Sequence, residues 1–310
     1  MPRTVTVGLD GSRESRAAAE WAAREAKLRD LPLKLVHVWE PMAQASLLDT
    51  ETQQHWSERS EMGVPPAEGW GRIPREAAEA VRLRHLDVEV VTEQLSGPPG
   101  DALVQAAEDA ELLVLGSRGL GGLGGFMVGS VGLSVVAHTG RPVVLVRLPG
   151  QAADEHETDP AGVPSAGAPF RPVVLGLDVE HPDEALIAFA FESAARRETS
   201  LRVVHTWYPP PYYAYGTPVN PALNEALALS AEAELAKALS LWRTRFPDVE
   251  VVEATRYGSP AFHLVKASHE ASLVVVGRRA RRLPVGAHIG HTTHSVLHHA
   301  TAPVAVVPHD

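Results

Sequence analysis

The chain repeats itself along almost its whole length, and a long repeat constrains the fold more than any single motif does. Gly8-Leu9-Asp10 matches Gly176-Leu177-Asp178, and Val36-His37 with Trp39 and Pro41 matches Val204-His205 with Trp207 and Pro209, all 168 residues apart. Further on the spacing is 161: Val88 to Val91 pairs with Val249 to Val252, Gly97 with Gly258, Gly116 with Gly277, Gly129 with Gly290, and Pro142-Val143 with Pro303-Val304. One gap reconciles the two spacings. A chain of 310 residues therefore reads as two copies of one domain-sized unit. Between them, the Pro, Gly, Ala and acidic content of Gln151 to Pro169 predicts a flexible linker. The expected organisation is a first domain over 1–150, a linker over 151–169 and a second domain over 170–310.

Within the first copy, Thr4 to Leu9, Leu33 to Trp39, Val88 to Thr92, Leu112 to Leu115 and Val143 to Val146 carry β-branched or continuous apolar patterns that predict five strands. Helical patterns separate them: Arg16 to Leu28 behind a Ser12 cap, Arg75 to Leu86, Gly100 to Ala110, and a helix opening near Ser130. Strands buried on both faces and alternating with helices predict a doubly wound parallel sheet. In the second copy Pro182 suits a first helical turn, and Pro221 to Phe246 predicts a long helix with Leu223, Leu227, Leu235, Leu239 and Trp242 on one stripe.

Composition removes several function classes. Acidic residues outnumber basic ones by 38 to 28, and a formal charge of −10 gives no general attraction to nucleic acid or anionic lipid. Cysteine is absent, so disulfides, thiolate nucleophiles and cysteine-ligated zinc are excluded. The segment MPRTVTVGLDGS lacks the apolar core of a signal peptide, which makes the cytoplasm the expected location. Gly119 to Gly140 contains no Asp, Glu, Lys or Arg, yet its eight glycines suit a loop and a helix start better than a membrane span.

The segment Leu112 to Ser130 concentrates the chemistry. It reads as a buried strand, a glycine-rich loop and a helix start at Gly129-Ser130, an arrangement whose backbone amides can cradle a phosphate. Ser130 adds a hydroxyl donor there, and Arg118 a guanidinium that can pair with phosphate. Gly119-x-Gly121-x-x-Gly124 satisfies the dinucleotide pattern formally, but that fingerprint belongs after a first strand and needs an acidic residue downstream, and neither Asp nor Glu occurs from Leu112 to Ala153. The P-loop pattern is absent. A tight turn that holds no ligand is the competing reading of these glycines, and a helix-capping carboxylate is the competing reading of Asp10.

The spacing Gly116-x2-Gly119-x9-Gly129-Ser130, together with Gly8 to Ser12 and Val36 to Trp39, resembles the ATP-binding signature of the universal stress protein family. That resemblance implies two tandem Rossmann-like α/β units, each a doubly wound, parallel, five-stranded sheet. It further implies that Asp10 lies at the ribose or metal region, Val38 or its neighbour near the adenine, Gly116 and Gly119 at ribose and phosphate, and Gly129, Ser130 and Val131 at the phosphates, with Gly8, Leu9, Leu115 and Arg118 among the residues expected to bind the same ligand. The implied ligand is ATP, with magnesium as its companion. Because family members dimerise, it also implies that the two copies pair within one chain or that the chain forms a homodimer.

The second copy departs from the signature. Asp178, Gly277 and Gly290 are retained, but Ala280 replaces the middle glycine, His291 replaces Ser130 and Thr292 replaces Val131. Arg278 heads a cluster with Arg279, Arg281 and Arg282, while Glu180 adds a carboxylate, so the charges oppose one another. His291, His294 and His298 would share one helical face, which suits either an amphipathic helix with hydrogen-bonded imidazoles or, less simply, a metal site. His37 and His205 recur on apolar strands and read as core histidines with one satisfied nitrogen. A catalytic set is missing from the pattern: neither a nucleophile beside a base nor a P-loop lysine is visible, so at most slow ATP hydrolysis is expected. The sequence thus favours a nucleotide-dependent sensor or switch in a stress response, against an ATP-using adenylating enzyme with a substrate pocket in the insertion Met42 to Ile73, or a ligand-free interaction module.

Overall fold

A computed structural model of the chain describes residues 3–40, 71–119, 126–148, 150–158, 162–163, 165–208, 221–279 and 289–309. The chain divides into two compact units, Met1–Gln151 and Ala152–Asp310. The insertion residues 42–70, glycines 121, 122 and 124, and Ala280, Arg281, Arg282 and His288 lie outside the described residues.

In the first unit β1 (Thr4–Leu9) is the central strand, with Val5 and Val7 fully buried. Helix α1 (Arg13–Arg29) begins where Ser12 Oγ accepts the Ser15 amide at 3.1 Å and ends at Asp30 in the left-handed conformation, φ 53°. Its alanines and Trp21 bury one long face against the sheet. Then follow β2 (Leu33–Trp39), α2 (Arg72–Arg84), β3 (Val90–Ser96), α3 (Pro99–Glu108) and β4 (Ala110–Gly116). A two-residue ladder, β5 (Arg118–Gly119) with β6 (Phe126–Met127), leads to α4 (Ser130–His138) and β7 (Val143–Val146). The sheet order is β7-β4-β1-β2-β3, and every pair is parallel. Strand β3 begins two residues later than the apolar pattern and runs to Ser96. As the last strand of this order it exposes Val91, Thr92 and Ser96, so hydropathy loses it after Thr92 although its register with β2 continues to Trp39↔Ser96.

The second unit repeats this plan with β8 (Val173–Gly176), α5 (Glu184–Arg196), β9 (Leu201–Trp207), α6 (Pro221–Arg245), β10 (Val251–Tyr257), α7 (Pro260–Ala267), β11 (Leu273–Arg279), α8 (His291–His299) and β12 (Val304–His309). Its parallel order is β10-β9-β8-β11-β12. On α6, Leu235, Leu239 and Trp242 are buried, Trp242 stacking on Phe191, whereas Leu223 and Leu227 are only half-buried.

Two expectations need correction. Pro182 is outside the helix: α5 is capped by Asp183, whose carboxylate accepts the amides of Ala185 at 2.9 Å and Leu186 at 3.1 Å. The cause lies at Gly11, whose φ of +84° a non-glycine residue resists; Val179 takes its place in the second copy, the turn changes route, and the helix opens about one turn later. The stretch between the copies also carries structure. Ala152–Glu155 forms a short 3-10 turn, His156 bridges to Phe170, and the amides of Glu157 and Arg171 donate to Pro169 and Glu155 at 2.9 Å each.

Candidate functional site

In each unit the strand order reverses beside the central strand, between β1 and β4 and between β8 and β11. The carboxyl ends of strands at such a reversal form the crevice where ligands of open α/β sheets bind. In the first unit Gly8 and Leu9 close β1 and Leu115 and Gly116 close β4, with Leu9 and Leu115 buried beneath the crevice.

Asp10 emerges from this end exposed. Its carboxylate accepts the amide of Ser12 at 2.9 Å and the Ser12 hydroxyl, while Ser12 caps the helix. The capping duty proposed for Asp10 thus belongs to Ser12, and Asp10 holds the cap in place. Val38, half-buried on β2, follows His37, whose Nδ1 donates to the Leu9 carbonyl at 2.8 Å.

The glycine segment is pinned at both ends. Arg118 pairs with Met127 and Gly119 with Phe126 across the β5–β6 ladder, which brings the start of the loop to the chain entering Gly129. Gly129 occupies the cap position of α4 with φ −65° and ψ 161° and offers no side chain, so the first amides of α4 stay uncapped by a side chain. Ser130 and Val131 are exposed on that first turn. Gly116 has a different reason to be glycine. A β-carbon there would lie 2.5 Å from the Glu14 carbonyl carbon and 2.8 Å from the Ser15 nitrogen, because the first turn of α1 crosses the end of β4.

In the second unit a cavity of about 500 Å³ opens at the corresponding strand ends. Asp178, Gly277, Gly290, His291 and Thr292 all line it, as the repeat predicts. Arg278 does not: strand alternation buries it, and burial lowers its pKa, while Arg279 reaches the cavity. Sequence reasoning missed His181 and His309 as lining residues. The imidazole of His309 occupies the space above Gly277, 2.6 Å from where a β-carbon would stand, and its Nδ1 lies 4.0 Å from Asp183. It fills the volume that the first turn of α1 fills in the other copy. Thr293 Oγ1 donates to the Gly277 carbonyl at 2.7 Å and ties α8 to β11.

The histidines on α8 divide. His291 lines the cavity, whereas the rings of His294 and His298 meet in a tilted contact with centroids 4.4 Å apart. Burial and the neighbouring charges of His298 and His299 lower the pKa of His294. The metal-ligating atoms that gather within 4.8 Å of one another, among the described residues, are those of Asp178, Glu180 and His181, all exposed. Among the described residues, too, no helix is long and apolar enough to cross a membrane.

Comparisons with known proteins agree with this fold. A universal stress protein of Mycobacterium tuberculosis strain H37Rv is 34% identical, with 97% of this chain and 96% of the relative covered. One from Mycolicibacterium smegmatis is 31% identical, with 98% and 96% covered. Among solved structures, a universal stress protein from Archaeoglobus fulgidus superposes with a TM-score of 0.66 over 98% of both chains at 17% identity, a likeness of fold. The universal stress protein family model matches residues 1–147 and again residues 169–308. The chain therefore belongs to the universal stress protein family, and carries the family's unit twice.

Proposed function

We propose that the first unit binds ATP and that its occupancy makes the chain a nucleotide-dependent sensor or switch in a stress response. The observation that carries this reading is the convergence, at one strand reversal, of Asp10 just past the end of β1, the glycine segment held by Arg118 and Gly119, and the side-chain-uncapped start of α4 at Gly129-Ser130. Amides at a helix start and a serine hydroxyl suit phosphate oxygens, and Asp10 suits a ribose hydroxyl or a magnesium ion carried with the phosphates. Occupancy acts as a switch when the ligand binds two conformations unequally. Calorimetry with ATP tests it: wild-type protein should bind and Gly119→Val should lose binding, because a branched side chain intrudes on the loop. Unchanged affinity in that variant removes the assignment.

The duplication also supports pairing of the two units as an internal counterpart of a family dimer. Residues 1–150 and 170–310, produced separately, should associate in sedimentation velocity experiments. Two stable halves with neither mutual nor self-affinity would count against it.

A further inference from the structure

The turn that leaves β8 is where the second copy departs furthest from the first. Val179 replaces Gly11, and α5 opens only at Glu184. Asp178, Glu180 and His181 therefore share one open turn, whereas the matched positions of the first copy hold Asp10, the helix cap Ser12 and Arg13, already the first residue of α1. One donor atom from each of the three lies within 4.8 Å of the other two. The Glu180 amide donates to Asp178 Oδ1 at 3.1 Å, which orients the carboxylate, and His181 Nδ1 stands 3.4 Å from Asp178 Oδ2. That separation is long for a nitrogen–oxygen hydrogen bond, but donors held tetrahedrally at about 2.0–2.1 Å from one ion stand roughly 3.3 Å apart.

A second, independent feature faces the same space. Asp178 and His181 line the cavity of the second unit, and so does His205 on β9, which is only 8% exposed. Its Nδ1 lies 3.2 Å from the Leu177 carbonyl oxygen, which can only accept, so Nδ1 carries the hydrogen and Nε2 of the neutral ring keeps its lone pair. That Nε2 meets no hydrogen-bond donor among the described residues, and it borders the cavity, whereas the Nε2 of His37 is sealed. A buried nitrogen lone pair without a partner is costly unless something in the cavity completes it. His291 brings another imidazole to that cavity, where the first copy has Ser130.

We propose that Asp178, Glu180 and His181 bind a first-row divalent transition-metal ion at the mouth of the second cavity, with its remaining coordination positions turned toward that cavity. Two carboxylates and an imidazole suit such an ion, whereas magnesium prefers oxygen ligands and gives up its water reluctantly. In the first copy Arg13 sets a fixed positive charge where His181 offers a lone pair, so the ligand set is particular to the second. The site needs no nucleotide and stands or falls apart from the ATP reading.

Calorimetric titration of the nucleotide-free full chain with zinc tests it. Wild type should take up one ion per chain in a saturable phase that excess magnesium does not displace. His181→Arg, which restores the first copy's residue, and Glu180→Ala should each weaken that phase by about tenfold or more, at least the loss that follows when a metal ligand's supporting partner is removed. Both side chains are exposed, so the variants should keep the wild-type circular dichroism. His294→Gln, on α8 away from the cavity, should leave the phase unchanged. With cobalt as the probe, the visible absorption of wild type should be altered in His181→Arg, because a nitrogen ligand has gone. A zinc phase that is absent from wild type, persists undiminished in His181→Arg and Glu180→Ala, is lost in His294→Gln, or yields to magnesium overturns the proposal.

Discussion

Gly116 lies so close to Glu14 that a β-carbon on it would stand 2.5 Å from the Glu14 carbonyl carbon and 2.6 Å from its oxygen. These are backbone atoms of α1, so they cannot swing aside. In the second copy the atoms facing Gly277 belong to side chains, the His309 ring nearest and a Leu186 methyl beyond it, and side chains can turn. Gly116→Ala should therefore destabilise the first unit by about 1–3 kcal/mol or more, as overpacking does. Gly277→Ala should cost the second unit clearly less. Denaturant unfolding of each variant measures the difference, and equal losses would mean that the close approach of α1 does not explain the glycine.

The two helix caps allow a second comparison. Ser12→Ala removes the acceptor for the Ser15 amide and the hydroxyl held by Asp10, and Asp183→Ala removes the acceptor for two amides. Each should lower stability by about 1 kcal/mol, the usual worth of a capping side chain. Ser12→Ala should also weaken ATP binding, since Asp10 loses one of the two Ser12 donors that orient it. Stability lost with ATP affinity intact would separate the cap from the site.

Much of this was legible because the duplicated pattern exposes its own constraints. The matched glycines Gly97 and Gly258 both adopt positive φ, 120° and 103°, and His37 and His205 make matched bonds. The five-strand plan followed from buried runs such as Leu112 to Leu115, which read as strand wherever they occur. What stayed illegible depends on tertiary approach. The glycine at 116 looks like part of a ligand signature, yet its nearest demand comes from α1, a segment one hundred residues earlier in the chain. Pro182 looks like a helix opening because propensity is local, whereas the late start of α5 follows from losing Gly11 at a turn. Arg278 and Arg279 are adjacent and equally basic, and only strand alternation decides which one reaches the cavity. His309 carries no motif at all, since its counterpart in the first copy is Leu148.

Acid should loosen α8. Burial first, then the charges on His298 and His299, hold the pKa of His294 below its ordinary 6.5. The unfolded chain thus binds a proton more readily than the folded one, and stability falls as pH drops below 6.5 until the folded-state value is passed. His294 is exposed, so solvent screens the effect and the shift should be small. Melting curves on either side of that pH should show a smaller acid loss for His294→Gln than for wild type. An identical pH dependence in the variant would assign the loss to other groups.

The last prediction is that the two units take nucleotide unequally, the first before the second. The start of α4 presents Gly129 and Ser130, a close backbone approach and a small hydroxyl donor, whereas α8 presents Gly290 and the bulkier His291. The second cavity is also edged by Asp178, whose carboxylate stands within reach of Glu180 and His181, so negative charge faces any incoming phosphate. Arg279 opposes it with its guanidinium. In a titration with excess ATP at neutral pH, Gly119→Val should abolish the tight phase, and His291→Ala should leave it unchanged. A complex with the second unit filled and the first empty would reverse the order, and would mean that the basic groups around Arg279 outweigh the glycine segment of the first unit.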